Sequence, residues 1–361
     1  MIDILFYSIV ELLTAFSPNY TIFLILRGLF GIGMGGEWGI GASLAMESLP
    51  TEARGLFSGI LQQGYAFGYL LGAVVYYGVF AFFPNFGWRT MFVIGVLPAL
   101  LVLFIRLGVR ESPVWQHQRD LQRQAGRSSW QGMWYAVASR LWLFIYVIIL
   151  MTAFNSLSHG TQDTYPTFLQ KQLGLGVSAT SLITIIANIG AICGGTLFGY
   201  YSQIWGRRRT IIIASVLGLI MIPLWVGLLR LPLLSLLASI SVGVFLLQFM
   251  VQGAWGVIPV HLNELSPTDV RGTFPGFAYQ LGNLFASFIV TIEGIVAENL
   301  GSAKNPNYAL ALAFFSAGAF LAVIIFTAIG REAKGIEFMK SVEAEEEAQS
   351  EIAPRFRRVG S

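Results

Sequence analysis

Ten apolar stretches recur along this 361-residue chain, each near the ~20 residues needed to cross a bilayer as a helix. They lie at roughly 2–16, 20–46, 55–82, 88–109, 141–165, 178–202, 209–229, 232–262, 273–297 and 308–330. A chain written this way has few folds open to it. The bilayer core offers no water to backbone N–H and C=O groups, so each spanning segment must bond its own backbone. Segments of this length point to helices, and the fold class expected is an all-α integral membrane bundle. Composition agrees: 55% of residues are hydrophobic, 11% are charged and the mean hydropathy is +0.68. Ordinary globular chains are about 25% charged. Forty Gly and nine Trp fit a helical bundle, where Gly permits close packing and Trp sits at interfaces. The first stretch has no positive flank and no small-residue cleavage site after it, so it does not read as a cleavable signal peptide.

Charge sets the orientation and removes other function classes. Of 22 Lys and Arg, 17 fall on one alternate set of loops and in the C-terminal tail, four on the other set, and Arg27 within a helix. Positive loops stay in the cytoplasm, so the linker and the tail are expected there, with the chain multi-pass in the cell membrane. A net charge of +3 without a basic, aromatic-interleaved patch argues against nucleic acid. The single Cys193 excludes disulfides and Cys-rich metal sites, and His117 and His261 lack metal-ligand spacing. Gly31 to Gly36 matches G-x-G-x-x-G, but it sits in an apolar helix rather than after a strand, so no dinucleotide or other cofactor is expected. No catalytic constellation lies in an exposed loop, and the chain does not read as an enzyme.

A shift of 217 residues aligns the chain with itself. Trp38-Gly39 falls on Trp255-Gly256. Glu47, Pro50, Thr51, Arg54 and Gly55 fall on Glu264, Pro267, Thr268, Arg271 and Gly272. Phe57, Gly59 and Gln63 fall on Phe274, Gly276 and Gln280. Parallel half-repeats of six helices mark one large class of transporter. The expected units are an incomplete first half-bundle at 1–109, a cytoplasmic linker at 110–139, a six-helix half-bundle at 140–330 and a disordered cytoplasmic tail at 331–361. The helices at 141–165 and 178–202, and the turn Gln203 to Arg209, have no counterparts after Met1. The first half is therefore expected to lack two helices, through truncation, a misassigned start or a genuine ten-helix variant.

The chemistry concentrates in Asn155-Ser-Leu-Ser-His-Gly-Thr-Gln-Asp-Thr-Tyr-Pro-Thr167. His159 and Asp163 are four apart and share a helix face. Ionisable groups inside a membrane segment usually mark a path for protons or substrate, and imidazole titrates near neutral pH. A satisfied polar pair at a helix end, where Pro166 lets water approach, is the plainer reading. Arg27 either snorkels to the outer interface or faces a central cavity, where a guanidinium can grip a carboxylate with two parallel hydrogen bonds. Gln280 and Asn283 are three apart on one face, a spacing that also serves to join helices. Glu37 lies deep enough to pair with a cation or to be a second proton site; Glu11 and Glu293 lie near outer helix ends, within reach of water.

The repeat, the helix Arg27-Gly-Leu-Phe-Gly-Ile-Gly and the turn Gly199-Tyr-Tyr-Ser-Gln-Ile-Trp-Gly-Arg-Arg resemble the major facilitator superfamily. Gln203 and Ile204 stand where the family's turn carries an acidic and a basic residue, which puts its gating ion pair in doubt here. Asn155-x-x-Ser158-His159-x-Thr161-Gln162-Asp163-x-x-x-Thr167 is similar to the signature of Jen-type lactate/pyruvate–proton symporters of the sialate:proton symporter family. Gln62 to Leu71 is similar to the same group, whereas Gly36-Glu37-Trp38 looks more like the sialate branch. The resemblance implies twelve helices in the family against about ten here, and a monomer carrying a small monocarboxylate with a proton. It implies that His159 and Asp163 couple the proton, with Glu37 a further candidate, and that Arg27 clamps the carboxylate. Asn155, Ser158, Gln162 and Thr167 would shape the polar path, and Gln280 and Asn283 would touch substrate. A sialic acid–proton symporter and a non-transporting remnant are the other readings.

Overall fold

Six long apolar helices make the second half of the molecule. In a computed structural model that describes residues 2–82, 87–97, 116 and 137–338, membrane-length spans run Leu141–Gln172, Val177–Trp205, Arg207–Trp225, Leu236–Leu265, Phe274–Leu300 and Tyr308–Ile329. Each corresponds to an expected stretch. Local sequence explains the shifted ends. Gly206 takes φ +94, a backbone open to glycine, so one helix stops at Trp205 and the next starts directly at Arg207. Pro223 lies inside the third helix, which ends at Trp225 rather than near 229. Leu233 at φ +68 and the Ser235 hydroxyl, which caps the Ala238 N–H at 3.2 Å, set the next start at Leu236.

We number the helices α1 (Ile2–Ala15), α2 (Tyr20–Ser48), α3 (Arg54–Gln62), α4 (Gly64–Phe82) and α5 (Arg89–Ile94) in the first half. The second half holds α6 (Leu141–Gln162), α7 (Val177–Trp205), α8 (Arg207–Trp225), α9 (Leu236–Trp255) and α10 (Ile258–Leu265). It ends with α11 (Phe274–Ala286), α12 (Ile289–Leu300) and α13 (Tyr308–Ile329). Several spans are thus two helices in series. The expected span at 88–109 is described only to Leu97. Most of the expected linker, with His117, and of the expected tail lies outside the described residues.

The first polar motif sits at a break rather than at a helix end. Pro166 cannot donate, and its ring crowds the carbonyl four residues back. α6 accordingly stops at Gln162, the chain turns at Asp163-Thr164, and a short helix at Tyr165–Thr167 leads into a π-helical turn at Phe168–Gln172. Tyr165 fastens the far side of the break. Its ring stacks on buried Trp225 at 4.9 Å and its hydroxyl donates to the Trp225 carbonyl at 3.1 Å.

The core lies mainly in the second half. Val147, Leu150, Met151, Phe154 and Leu157, spaced three and four apart, form the fully buried stripe of α6. α7 packs on α9 and on α3, α6 on α11, and α2 on α11. The halves approach closely where side chains vanish: a Cβ on Gly39 would lie 2.5 Å from the Gly276 Cα. Large apolar side chains such as Leu321 and Ile329 stay exposed, as lipid-facing surface permits.

Candidate functional site

The break in α6 presents His159 and Asp163 on one face, as their spacing implies, and the two side chains touch. His159 Nδ1 lies 2.8 Å from Asp163 Oδ2, and Nε2 lies 2.9 Å from Asn283 Oδ1 of α11. Both ring nitrogens therefore face acceptors, an arrangement that suits a doubly protonated ring. Rotation of the Asn283 amide would offer Nε2 a donor instead and suit the neutral ring. The imidazole and the carboxylate remain about one-third exposed, at 34% and 36%.

That exposed side opens on a cavity of about 890 Å³. Gly28, Gly31 and Gly35 of α2 form one wall, His159 and Asp163 a second, and Gln280 and Asn283 of α11 a third. Gln280 Nε2 also donates to the Gly35 carbonyl at 3.2 Å, linking the halves across the cavity. Asn155 is buried beside this wall and donates to the Tyr279 carbonyl at 3.3 Å. The Tyr279 ring stacks on Trp38 at 4.8 Å and meets Trp255 edge-on at 6.0 Å, so the two repeat-related tryptophans converge on one residue.

A smaller space of about 150 Å³ lies on the other side of Asp163, which lines both. Tyr65 and Tyr69 of α4, Gln162, Asn188 of α7, and Gln248 and Gln252 of α9 surround it. Gln162 donates to Gln248 Oε1 at 3.2 Å, and Gln248 donates to the Thr161 carbonyl at 3.4 Å. Sequence reasoning missed the α9 amides. Their signal was there: Gln248 and Gln252 are four apart in an apolar helix, as informative as Gln280 and Asn283.

Other expected residues stand elsewhere. Arg27 is absent from the lining of both cavities; its Nη2 bonds Glu11 and, at 3.1 Å, the Thr14 hydroxyl. Its guanidinium lies 4.5 and 4.9 Å from the Phe30 and Phe92 ring centres. Glu11 thus meets an arginine rather than only water. Glu37 is half-buried and faces Tyr7, outside the lining. Ser158 and Thr167 are half-buried and line neither space. Glu293, expected to meet water, is fully buried.

The Pro/Arg/Gly turns close the opposite end of the bundle. Fully buried Arg207 bonds Glu264 twice, at 2.9 and 3.0 Å, and also bonds Ser202 and Gln203 at 2.9 Å. Gln203 donates to the Thr51 carbonyl at 2.9 Å and accepts from the Gly55 N–H at 3.3 Å. The amide in the acidic position therefore joins the two halves, while Glu264 supplies the carboxylate. Glu52, exposed on the same turn, has its carboxyl held below the usual carboxylate range by its own backbone N–H and then by the Thr51 hydroxyl.

Residues 331–338, the start of the expected tail, pack on these turns. Glu332 accepts from the Arg207 and Arg208 N–H groups at 3.2 and 3.1 Å, and the Ile336 carbonyl accepts from Arg54 at 2.7 Å. The Phe338 ring lies 3.7 Å from the Arg54 guanidinium and 4.1 Å from that of Arg271, its repeat counterpart.

Known proteins give this geometry a context. A protein described as a carboxylic acid transporter protein homolog, from Saccharomyces cerevisiae, is 31% identical over 90% of the chain. The chain spans only 56% of that relative's length. A probable 4-methylmuconolactone transporter from Cupriavidus pinatubonensis is 31% identical over 98% of the chain and 79% of its own length. The crystallised proton:xylose symporter XylE superposes with a TM-score of 0.72 at 19% identity, covering 95% of the chain and 82% of XylE, which speaks to fold alone. A sequence model of the Major Facilitator Superfamily matches residues 2–291. The multi-pass helical chain described here belongs to the major facilitator superfamily.

Proposed function

We propose that this chain carries a small monocarboxylate, of the lactate or pyruvate kind, into the cell together with a proton, as a Jen-type symporter. The observation that carries the reading is His159 held between Asp163 and Asn283 on the wall of an 890 Å³ cavity. A ring bonded this way can hold or release a proton as Asn283 rotates, and Asn283 and Gln280 can follow the substrate. The proton and the carboxylate together make the cavity more nearly neutral, which lowers the cost of rocking one half against the other. Each ligand then favours the binding of the other.

Arg27 reaches the carboxylate in this scheme only by exchanging Glu11 for it, since Glu11 already occupies the guanidinium. Gln162 and Asn155 shape the walls, and Ser158, Thr167 and Glu37 act on the path at a distance from the two cavities. The cycle is that of a monomer in the plasma membrane, with the turns at Thr51–Gly55 and Gln203–Arg209 on the cytoplasmic side. A larger acid such as a sialate is the second reading. The cavity exceeds what a three-carbon acid fills.

The test is uptake of labelled lactate into vesicles carrying this chain, with and without an inward pH gradient, alongside His159→Ala. Gradient-driven uptake abolished by the substitution is the expected result. Uptake indifferent to both would end the proton-coupled reading. Sialate uptake without lactate uptake would move the substrate to the larger acid.

A further inference from the structure

Behind the α6 break sits a carboxylate that the proposed cycle does not use. Glu293 of α12 is 0% exposed, and neither carboxylate oxygen has a hydrogen-bond partner among the described residues. Its surroundings are the backbone of α6 at Gly160, the Phe315 ring of α13, and Thr164, whose hydroxyl stands beside the carboxyl group without a formed hydrogen bond but close enough to donate one. A Cβ on Gly160 would lie 3.1 Å from Glu293 Oε1 and 2.8 Å from the Phe315 ring, so this wall is closely packed.

α6 and α13 are the long helices packed against α12. α6 brings His159 and its cap brings Asp163; the turn that follows brings Tyr165, whose hydroxyl is engaged by the Trp225 carbonyl. α13 contributes Tyr308 as its sole titratable side chain. No arginine or lysine faces the carboxylate from either helix. Among the described residues, the formal charge that acts on Glu293 is Asp163, of the same sign. An ionised carboxylate in such a place would lack solvent and counter-charge, with the Thr164 hydroxyl as its one neighbouring donor among the described residues, and the neutral acid costs far less to bury there.

We propose that Glu293 is a second proton-binding site, occupied in this conformation and distinct from the His159–Asp163 pair. The proton comes from water, forms an O–H bond on the carboxyl group and leaves as a proton when the site opens; no other bond changes. The site lies where two spans are both interrupted, α6 at Asp163-Thr164 and α11–α12 at Ser287-Phe288. Movement at these breaks would admit water to the carboxyl group. Asp163 bonds His159 and is also the charge that acts on Glu293, so a change at Asp163 reaches both sites. The part Glu293 plays in a transport cycle rests on the symport reading above; its protonation does not.

The experiment is infrared spectroscopy of the purified full chain across a pH series, reading the carbonyl band of protonated carboxylic acids. Glu293→Gln, which keeps the shape and neutrality of the acid, should delete one such band at neutral pH. Asp163→Asn should leave that band present. A spectrum at neutral pH that Glu293→Gln leaves unchanged would overturn the proposal. Thermal unfolding supplies a reading where the variant folds poorly. A neutral Glu293 predicts that Gln is tolerated and Glu293→Ala is not, so a collapse with Gln would show that the charged form is the one the fold needs. If uptake fails in the wild type while the band behaves as expected, the symport reading falls and the proton site stands.

Discussion

Arg27 and Glu11 form an ion pair across α1 and α2, with Thr14 as a third partner and side chains only 27% and 14% exposed. The pair offers a reason for an arginine inside a membrane helix that requires no substrate. Arg27→Ala strands Glu11 and should cost about 1–3 kcal/mol of stability, below the ~3–5 of a fully buried pair because of the residual exposure. Adding Glu11→Ala should recover part of that loss in a double-mutant cycle read by thermal unfolding. If the double variant regains stability yet does not take up carboxylate, Arg27 also serves the anion; regained uptake would confine it to structure.

Arg207 and Glu264 carry a larger stake. Both side chains are 0% exposed, and the guanidinium uses two of its donors on one carboxylate. Glu264→Gln leaves a buried guanidinium without its counter-charge and should cost roughly 3–5 kcal/mol. Gln203→Ala removes one bond to Arg207 and two to the first half, so its effect should fall on how tightly the halves close. Accessibility of a cysteine placed at Thr51 would read this. An unchanged labelling rate would show that the amide does not hold the halves together.

Gly39→Ala places a methyl group where the Gly276 backbone already sits. Backbone cannot rotate away as a side chain can, so the helices must separate, at a cost of about 1–3 kcal/mol for overpacking. Thermal unfolding should show the loss. Gly41→Ala, which meets open space, is the control and should be neutral within ~0.5 kcal/mol.

Phe338→Ala removes the ring shared by Arg54 and Arg271. Cation–π contacts are worth roughly 0.5–2 kcal/mol each, so residues 331–338 should release more readily. Arg331 and Lys334 then become better trypsin sites, and limited proteolysis should cut there faster in the variant. Equal rates would mean that Glu332 and the Ile336 carbonyl hold the segment without the ring.

Much of the fold was legible because its signals are local. Apolar stretches of spanning length announce helices wherever they occur, and the spans after residue 140 match them within four residues at every end but one, Gln172 in place of 165. The ends that shifted did so at Gly206, Pro223 and Leu233, where backbone geometry overrode hydropathy. The His159–Asp163 contact was also legible, since a four-residue spacing on a helix leaves the two side chains adjacent. The continuation past the break was not legible: Pro166 ends α6 at Gln162, yet the chain resumes as helix from Tyr165 to Gln172.

By itself the sequence determined a bundle of membrane-spanning helices, a repeated turn and a concentration of polar groups at Asn155–Thr167, because periodicity and spacing act along one chain. Tertiary structure alone decided which partner each polar group met. Asn283 reaches His159 across 124 residues, Gln203 reaches Thr51 across 152, and Glu11 rather than a cavity takes Arg27. Glu293 makes the same point by default: nothing in its local sequence distinguishes a carboxylate near a helix end from one sealed behind α6 and α13. Burial is a property of neighbours brought from elsewhere in the chain, and the physical state of a carboxyl group follows from them.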